Sequence, residues 1–194
     1  MQFGSLQFEP AGDRLDLVAE PVRAALSAER AAGNASGVQV AEIDPEVADT
    51  AAFCERYGIA MAEGANCVVI AAKRGDVVRH AVCLILATDR IDVNGAVRKH
   101  LDAKKASFAA MDTATSATGM EYGGITPIGL PAGWLLLVDA AVAASGPLII
   151  GSGLRRSKLL VSGAYLAGLP GAQVLPIAKE PKEQIDPVHP VQQS

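Results

Sequence analysis

The chain has 194 residues, half of them hydrophobic, with 17 Lys+Arg against 21 Asp+Glu, a formal net charge of −4 and three cysteines. That length predicts one domain with a sizeable core, and the acidic balance argues mildly against a dedicated nucleic-acid binder, whose footprint is a basic surface. The odd, widely spaced cysteines argue for a reducing compartment, the start Met1-Gln2-Phe3-Gly4-Ser5 lacks a basic region followed by an apolar run, and the longest apolar stretches are broken well short of a membrane span, so a soluble, cytoplasmic protein is expected.

In chain order, Asp16 to Ala32 has the period of an amphipathic helix, with Val18, Val22, Ala25 and Leu26 on one stripe and Gly33-Asn34 as its stop. Val38 to Ile43 reads as a strand. Asp44-Pro45 caps a helix that runs to about Tyr57 and ends at Gly58. Cys67 to Ala72 and Val77 to Leu86 form a hairpin around Arg74-Gly75-Asp76, both strands apolar enough to be central. Asp92 to Leu101 reads as a short helix, and Met111 to Thr118 as another, stopped by Gly119. Trp134 to Val138 and Pro147 to Ile150 complete the inner sheet. Ser162 to Leu169 is a helix with a serine cap, Ala172 to Leu175 an edge strand, and no internal repeat is present. Lys179 to Ser194 holds three prolines, charges and glutamines with little to bury, the composition of a flexible tail.

Two glycine-rich elements carry the functional signal. In Gly119-Met-Glu-Tyr-Gly-Gly-Ile-Thr-Pro-Ile-Gly129, four glycines and Pro127 are spaced for a shaped loop with exposed backbone, although a plain surface turn uses the same residues. Gly151-Ser152-Gly153 follows the apolar run Leu148-Ile149-Ile150, as a loop at the carboxyl end of a buried strand would. Two such loops facing each other across a cleft could offer N–H groups to an oxyanion or a phosphate. Asp139 ends the Trp134 to Val138 strand, where it either orients substrate or caps the turn that follows through Ser145.

Lys104-Lys105-Ala106-Ser107-Phe108-Ala109, the Gly119 to Gly129 loop, Val138-Asp139-Ala140 and Ile150-Gly151-Ser152-Gly153, read together in this order and spacing, resemble the YbaK/EbsC group of prolyl-tRNA-synthetase-associated editing domains, from about Glu46 to about Ala178. The resemblance implies an α+β fold with a curved, barrel-like mixed sheet and surrounding helices. It also implies a hydrolase that removes wrongly attached amino acids from tRNA, on proline tRNA charged with alanine or cysteine in some members. Asp139 matches an aspartate of the family's pattern. With water as nucleophile and the substrate's own terminal ribose hydroxyl assisting, neither a catalytic triad nor a metal or cofactor is expected.

On that reading Gly151, Ser152, Gly153 and Asp139 carry the chemistry, and Gly123, Gly124, Ile125, Thr126, Pro127 and Gly129 shape a pocket for a small side chain. One departure stands out: the family's early strand carries a functional lysine in a Val-Phe-Lys type sequence, and the matching strand Asn66-Cys67-Val68-Val69-Ile70-Ala71 places Cys67 there. Lys73, six residues further on, sits about 20 Å away along an extended strand and cannot replace it. Cys67 as a nucleophile would need a lowered pKa, and a strand cysteine between apolar neighbours is more often a small buried hydrophobe, as are Cys54 and Cys83.

Arg98, Lys99, Lys104 and Lys105 form one basic cluster, and Arg155, Arg156 and Lys158 another. Bordering the pocket, they would receive the phosphates of a tRNA acceptor end; otherwise they are solvated surface charges. His80, His100 and His189 have no partner pattern. Partners implied are the tRNA acceptor end and, by resemblance, prolyl-tRNA synthetase, with monomer and homodimer both open. The alternative from another class is a degenerate homologue that binds a nucleotide or tRNA end without hydrolysis because Cys67 replaces the lysine. Hydrolysis of a different small ester or thioester is a third reading.

Overall fold

Residues 1–34 and 37–179 are described by the computed structural model. Its strands are β1 Gln2–Phe3, β2 Leu6–Gln7, β3 Glu9–Pro10, β4 Gln39–Glu42, β5 Ala65–Arg74, β6 Val77–Leu86, β7 Lys105–Phe108, β8 Leu135–Asp139, β9 Pro147–Gly151, β10 Ser157–Ser162 and β11 Ala172–Leu175. Its helices are α1 Glu20–Ala31, α2 Thr50–Tyr57, α3 Arg98–His100, α4 Met111–Thr118, α5 Ala140–Ala144 and α6 Gly163–Ala167.

The β5–β6 hairpin is the centre. Arg74 pairs with Val77 across Gly75-Asp76, and Gly75 takes the left-handed φ of 60° that so tight a turn requires. Ala81 to Ile85 of β6 are all buried, a continuous apolar run that only a strand covered on both faces can carry. A five-stranded mixed sheet grows around it in the order β11-β8-β6-β5-β7, with β8 parallel to both β6 and β11. A second, antiparallel sheet has the order β3-β4-β10-β9. The two meet where Gly64, just before β5, forms a parallel bridge to Ile149 of β9.

The main core lies between the sheets and under α1 and α6, with Val22, Leu26, Val69, Leu84, Val138, Ile150, Leu159 and Leu166. The far face of the five-stranded sheet packs Ile70, Cys83 and Leu137 against Val97, Leu101 and Ile177. The outer face of the four-stranded sheet packs Ala41, Ile149 and Leu160 against Phe53, Cys54 and Ile59 around α2.

The fold is α+β with a curled mixed sheet and surrounding helices, as expected, but a second, antiparallel sheet stands beside it and neither closes into a barrel. β8 and β9, expected to complete one inner sheet, belong to different ones. The first helix starts at Glu20 rather than Asp16, because Pro21 fits the first helical turn and Val18-Ala19 run extended before it. The helix expected from Asp44 to Tyr57 breaks at Ala48-Asp49, between a 3-10 turn at Pro45–Val47 and α2. The Asp92 to Leu101 segment opens as a π turn at Val93–Val97, with Asp92 accepting from the N–H groups of Gly95 and Ala96. The sequence reading misses β1 to β3, β7, β10 and α5. The α4 stop at Gly119 (φ 66°), the Ser162 cap on Tyr165 N–H and β11 at a sheet edge agree with it. The expected flexible tail lies outside the described residues from 180 on.

Candidate active site

The two glycine elements do not face each other across a gap; they are laced into one wall. Gly153 N–H donates to the Gly124 carbonyl at 2.7 Å, and Glu121 N–H donates to the Gly153 carbonyl at 2.9 Å. A side chain on Gly151 would run into the Gly124 carbonyl oxygen and come within 2.7 Å of that of Ile125, and one on Gly124 would stand 2.9 Å from the Leu154 carbonyl. Glycine at both positions is therefore the condition for this close backbone packing.

That wall closes one side of a cavity of about 470 Å³, within the range of small-ligand sites, roughly 300–1,000 Å³. The cavity sits at the junction of the two sheets. Ala65 to Val69 of β5 form one side, Ile149 to Gly151 of β9 and Lys158 of β10 another, and Ala48 to Cys54 at the start of α2 a third. Tyr122, Gly123 and Ile125 come from the glycine loop. Phe108, Met111 and Tyr122, all more than half exposed, mark the mouth, while Lys158, Phe53 and Ile150 are buried at the interior. Within the cavity Thr50 Oγ1 donates to Asn66 Oδ1 at 2.9 Å.

Of the residues singled out in the sequence, Cys67, Gly123, Ile125, Gly151 and Lys158 line this cavity. Gly124, Thr126, Pro127 and Gly129 do not; they are the loop's packing, with Gly129 pressed onto the Pro21 carbonyl at a φ of 79°. Ser152 and Gly153 are corrected as oxyanion donors. The Gly153 N–H is taken by Gly124, while Ser152 is fully buried and its Oγ is bound to Ser157 Oγ at 2.7 Å and Leu154 O at 3.1 Å. Asp139 is corrected as a substrate-facing acid. Its carboxylate is buried and accepts from the N–H groups of Ala141, Ile177 and Ala178 at 2.8–2.9 Å, which caps α5 and ties down the segment after β11.

The first basic cluster stands away from the cavity. Lys105 pairs with Lys73 at the far end of β5, and Arg98 Nε is spent on the Asn94 carbonyl, so Arg98, Lys99, Lys104 and Lys105 are absent from its lining. Arg155 reaches Asp49 and the carbonyls of Pro45 and Tyr122 near the opening. His80 stacks on Trp134 at 4.9 Å, and His100 Nε2 bonds Gln173 at 2.6 Å, so both are structural; His189 lies outside the described residues.

The thiol chemistry of the site is quiet. Burial, and to a lesser extent Cys83, pushes the Cys67 thiol far above the ordinary cysteine value, so it stays protonated and poorly nucleophilic. Burial likewise pushes Cys83 up to about 12. No group of three or more His, Cys, Asp or Glu side chains suited to a metal occurs among the described residues.

Lys158 has the opposite character. It sits inside β10 and is 8% exposed, its Nζ donating to the Ala48 carbonyl at 2.8 Å and lying 5.4 Å from the Phe53 ring centroid. The break before α2 is what leaves that carbonyl free. Burial lowers its pKa to about 8, against an opposing pull from Asp49, with Arg155 pushing the same way as burial. The sequence groups Lys158 with Arg155 and Arg156 as charges that either border the pocket and meet tRNA phosphates or lie in solvent; the structure puts Lys158 in the lining of the cavity. Its interior position was signalled only by the apolar run Leu159-Leu160-Val161 that makes it part of a strand.

Comparison with known proteins agrees with this architecture. A sequence model of the aminoacyl-tRNA editing domain matches residues 44–169. No curated protein matches the sequence. Among solved structures, a candidate trans-editing enzyme for prolyl tRNA synthetase is similar with a TM-score of 0.69 at 17% identity, over 84% of this chain and 99% of that one. A hypothetical protein is similar with a TM-score of 0.69 at 18% identity, over 79% and 97%. A protein from work on epitope grafting onto scaffolds by computational design reaches 0.70 at 18% identity, over 84% and 97%. At these identities the structural likenesses speak for the fold, and no helix among the described residues is long and apolar enough to cross a membrane. The match over residues 44–169 settles the family: the chain belongs to the aminoacyl-tRNA editing domains.

Proposed function

We propose that this chain hydrolyses the aminoacyl ester of mischarged tRNA, of the prolyl-tRNA editing type with small amino acids. The observation that carries the reading is the cavity itself, a recess of mixed polar and apolar lining walled by the backbone of Gly123, Ile125 and Gly151, with exposed aromatic side chains at its mouth. Its volume suits an aminoacyl group together with the nucleoside that bears it, better than a small side chain alone. Phe108 and Tyr122 suit the stacking of an unpaired terminal base. An aminoacyl ester is already activated, so positioning supplies much of the rate, and the protonated Cys67 thiol favours water over a covalent route. The partner is the acceptor end of tRNA, with prolyl-tRNA synthetase as a further candidate. The site sits in one domain spanning residues 1–178, in a cytoplasmic protein.

The test is deacylation of a panel of mischarged tRNAs, led by proline tRNA carrying alanine or cysteine. Turnover well above the uncatalysed rate for at least one small aminoacyl-tRNA is expected. Absence of turnover by the wild type, with activity appearing in Cys67→Lys, would leave a domain that holds the acceptor end without editing it.

A further inference from the structure

The interior of the cavity holds a cation with almost nothing to neutralise it. Of the three N–H donors of Lys158, one goes to the Ala48 carbonyl, and no carboxylate forms an ion pair with it among the described residues. The carboxylate that acts on it, Asp49, is exposed and pairs with Arg155 instead. Across the sheet Lys158 is flanked on one side by Ala41 and on the other by Gly151, its register partners in β4 and β9, so the smallest residues stand beside the longest side chain. A buried ammonium with spare donors, open to a ligand-sized cavity, is costly unless something negative is to be met there.

Resting on the hydrolase reading, we propose that Lys158 is the electrophilic catalytic residue of this site, its ammonium stabilising the oxyanion that forms on the ester carbonyl. The assignment follows from depth: the exposed aromatics at the mouth take the base, and the buried interior beside Gly151 takes the reacting ester. Water adds to the carbonyl carbon, and the C=O electron pair moves onto oxygen, where Lys158 donates a hydrogen bond without giving up its proton. Collapse re-forms C=O and breaks the bond to the ribose oxygen, which departs with the proton lost by the attacking water, leaving free amino acid and a tRNA hydroxyl. In a water-poor interior such a donor is worth about 100-fold or more in rate.

The experiment compares wild type with Lys158→Met, of similar length but neutral. Deacylation kcat is expected to fall about 100-fold with KM little changed, and thermal stability to be equal or higher because a buried charge has been removed. A lysine that merely held the Ala48 carbonyl would instead lower stability on removal and leave kcat near wild type. Wild-type kcat/KM is expected to decline as pH rises through about 8, where Lys158 loses its proton under the combined influence of burial, Asp49, Arg155 and Cys54, and that limb should vanish in the variant. Stability has the matching sign. The unfolded chain holds the proton up to about 10.5, so the wild type gains stability between pH 8 and 10.5 and the variant's advantage shrinks across that window.

A second readout is independent of turnover: binding of an adenosine-linked phosphonate that mimics the tetrahedral intermediate, against the neutral amide of the same shape. The phosphonate is expected to bind the wild type at least tenfold more tightly than Lys158→Met, and the amide to bind both alike. Turnover in the wild type with no preference of the phosphonate for Lys158 would overturn the assignment and leave the hydrolase reading standing. A preserved preference without any turnover would retain Lys158 as the anion-holding group and overturn the hydrolase reading.

Discussion

Asp139→Ala is expected to lose roughly 3–5 kcal/mol of stability, since a buried carboxylate accepting three backbone N–H groups would disappear and leave those donors without a partner. The effect concentrates on the end of the chain. Ile177 is fully buried against Val97, Leu101 and Leu137, and two of the three hydrogen bonds hold it and Ala178 in place behind β8. Asp139→Asn keeps one acceptor oxygen and is expected to lose about half as much, with its amide forced to present a donor where the protein offers only donors. Urea denaturation measures both. A wild-type unfolding midpoint for Asp139→Ala would mean that the carboxylate is dispensable to the fold, and its role as a substrate-facing acid would return.

Gly151→Ala is expected to reduce deacylation by about 100-fold or more, with a loss of stability of about 1–3 kcal/mol. The new methyl group would push against the carbonyls of Gly124 and Ile125, backbone atoms that cannot swing aside as a side chain can. Relief requires the whole Gly119 to Gly129 loop to retreat, and with it the cavity wall carrying Tyr122 and Gly123. It would also place bulk directly opposite Lys158, its partner across β9 and β10, a Cα separation of about 5 Å. Steady-state kinetics beside a melting curve would decide the point. A variant with wild-type kcat/KM would show that the close contact of the two glycine elements does not shape the site. Gly119→Ala makes a useful comparison, since that glycine only ends α4 in the left-handed conformation, so its loss should touch stability more than turnover.

Much of the architecture was legible because local and global preferences agree in it. The β5–β6 hairpin follows from two apolar runs around Gly75-Asp76, α4 from its stop at Gly119, and α6 from the Ser162 cap, each signal lying within a few residues. The family resemblance rests on four segments of which the glycine loop is the most specific, and Tyr122, Gly123 and Ile125 of that loop do wall the cavity. The failures arose where a residue's meaning depends on what packs beside it. Gly151-Ser152-Gly153 looked like a row of free amides, but the Gly124 carbonyl lies against it and occupies one. Asp139 admits two readings in the sequence, a site acid or a cap on the turn that follows, and the structure has the cap on Ala141, joined by two backbone donors from almost forty residues further on. For the cluster at Lys104 and Lys105 the sequence leaves pocket border and solvated surface open, and an extended β7 carries it to the opposite end of β5 from the cavity.

By itself the sequence determined the fold class, the central hairpin, the family and the loop on which the site is built, since glycine and proline positions and the apolar runs of strands are local properties of the chain. Only the tertiary structure decided which of the proposed residues meet. It set β9 and β10 into the four-stranded sheet beside β4 and against α2, turned a lysine from a charged run into a buried ammonium opposite Gly151, and left the Cys67 thiol protonated on the other wall. Burial and the choice of neighbours fix the charge and reach of those two side chains, and neither is encoded in the residues that flank them.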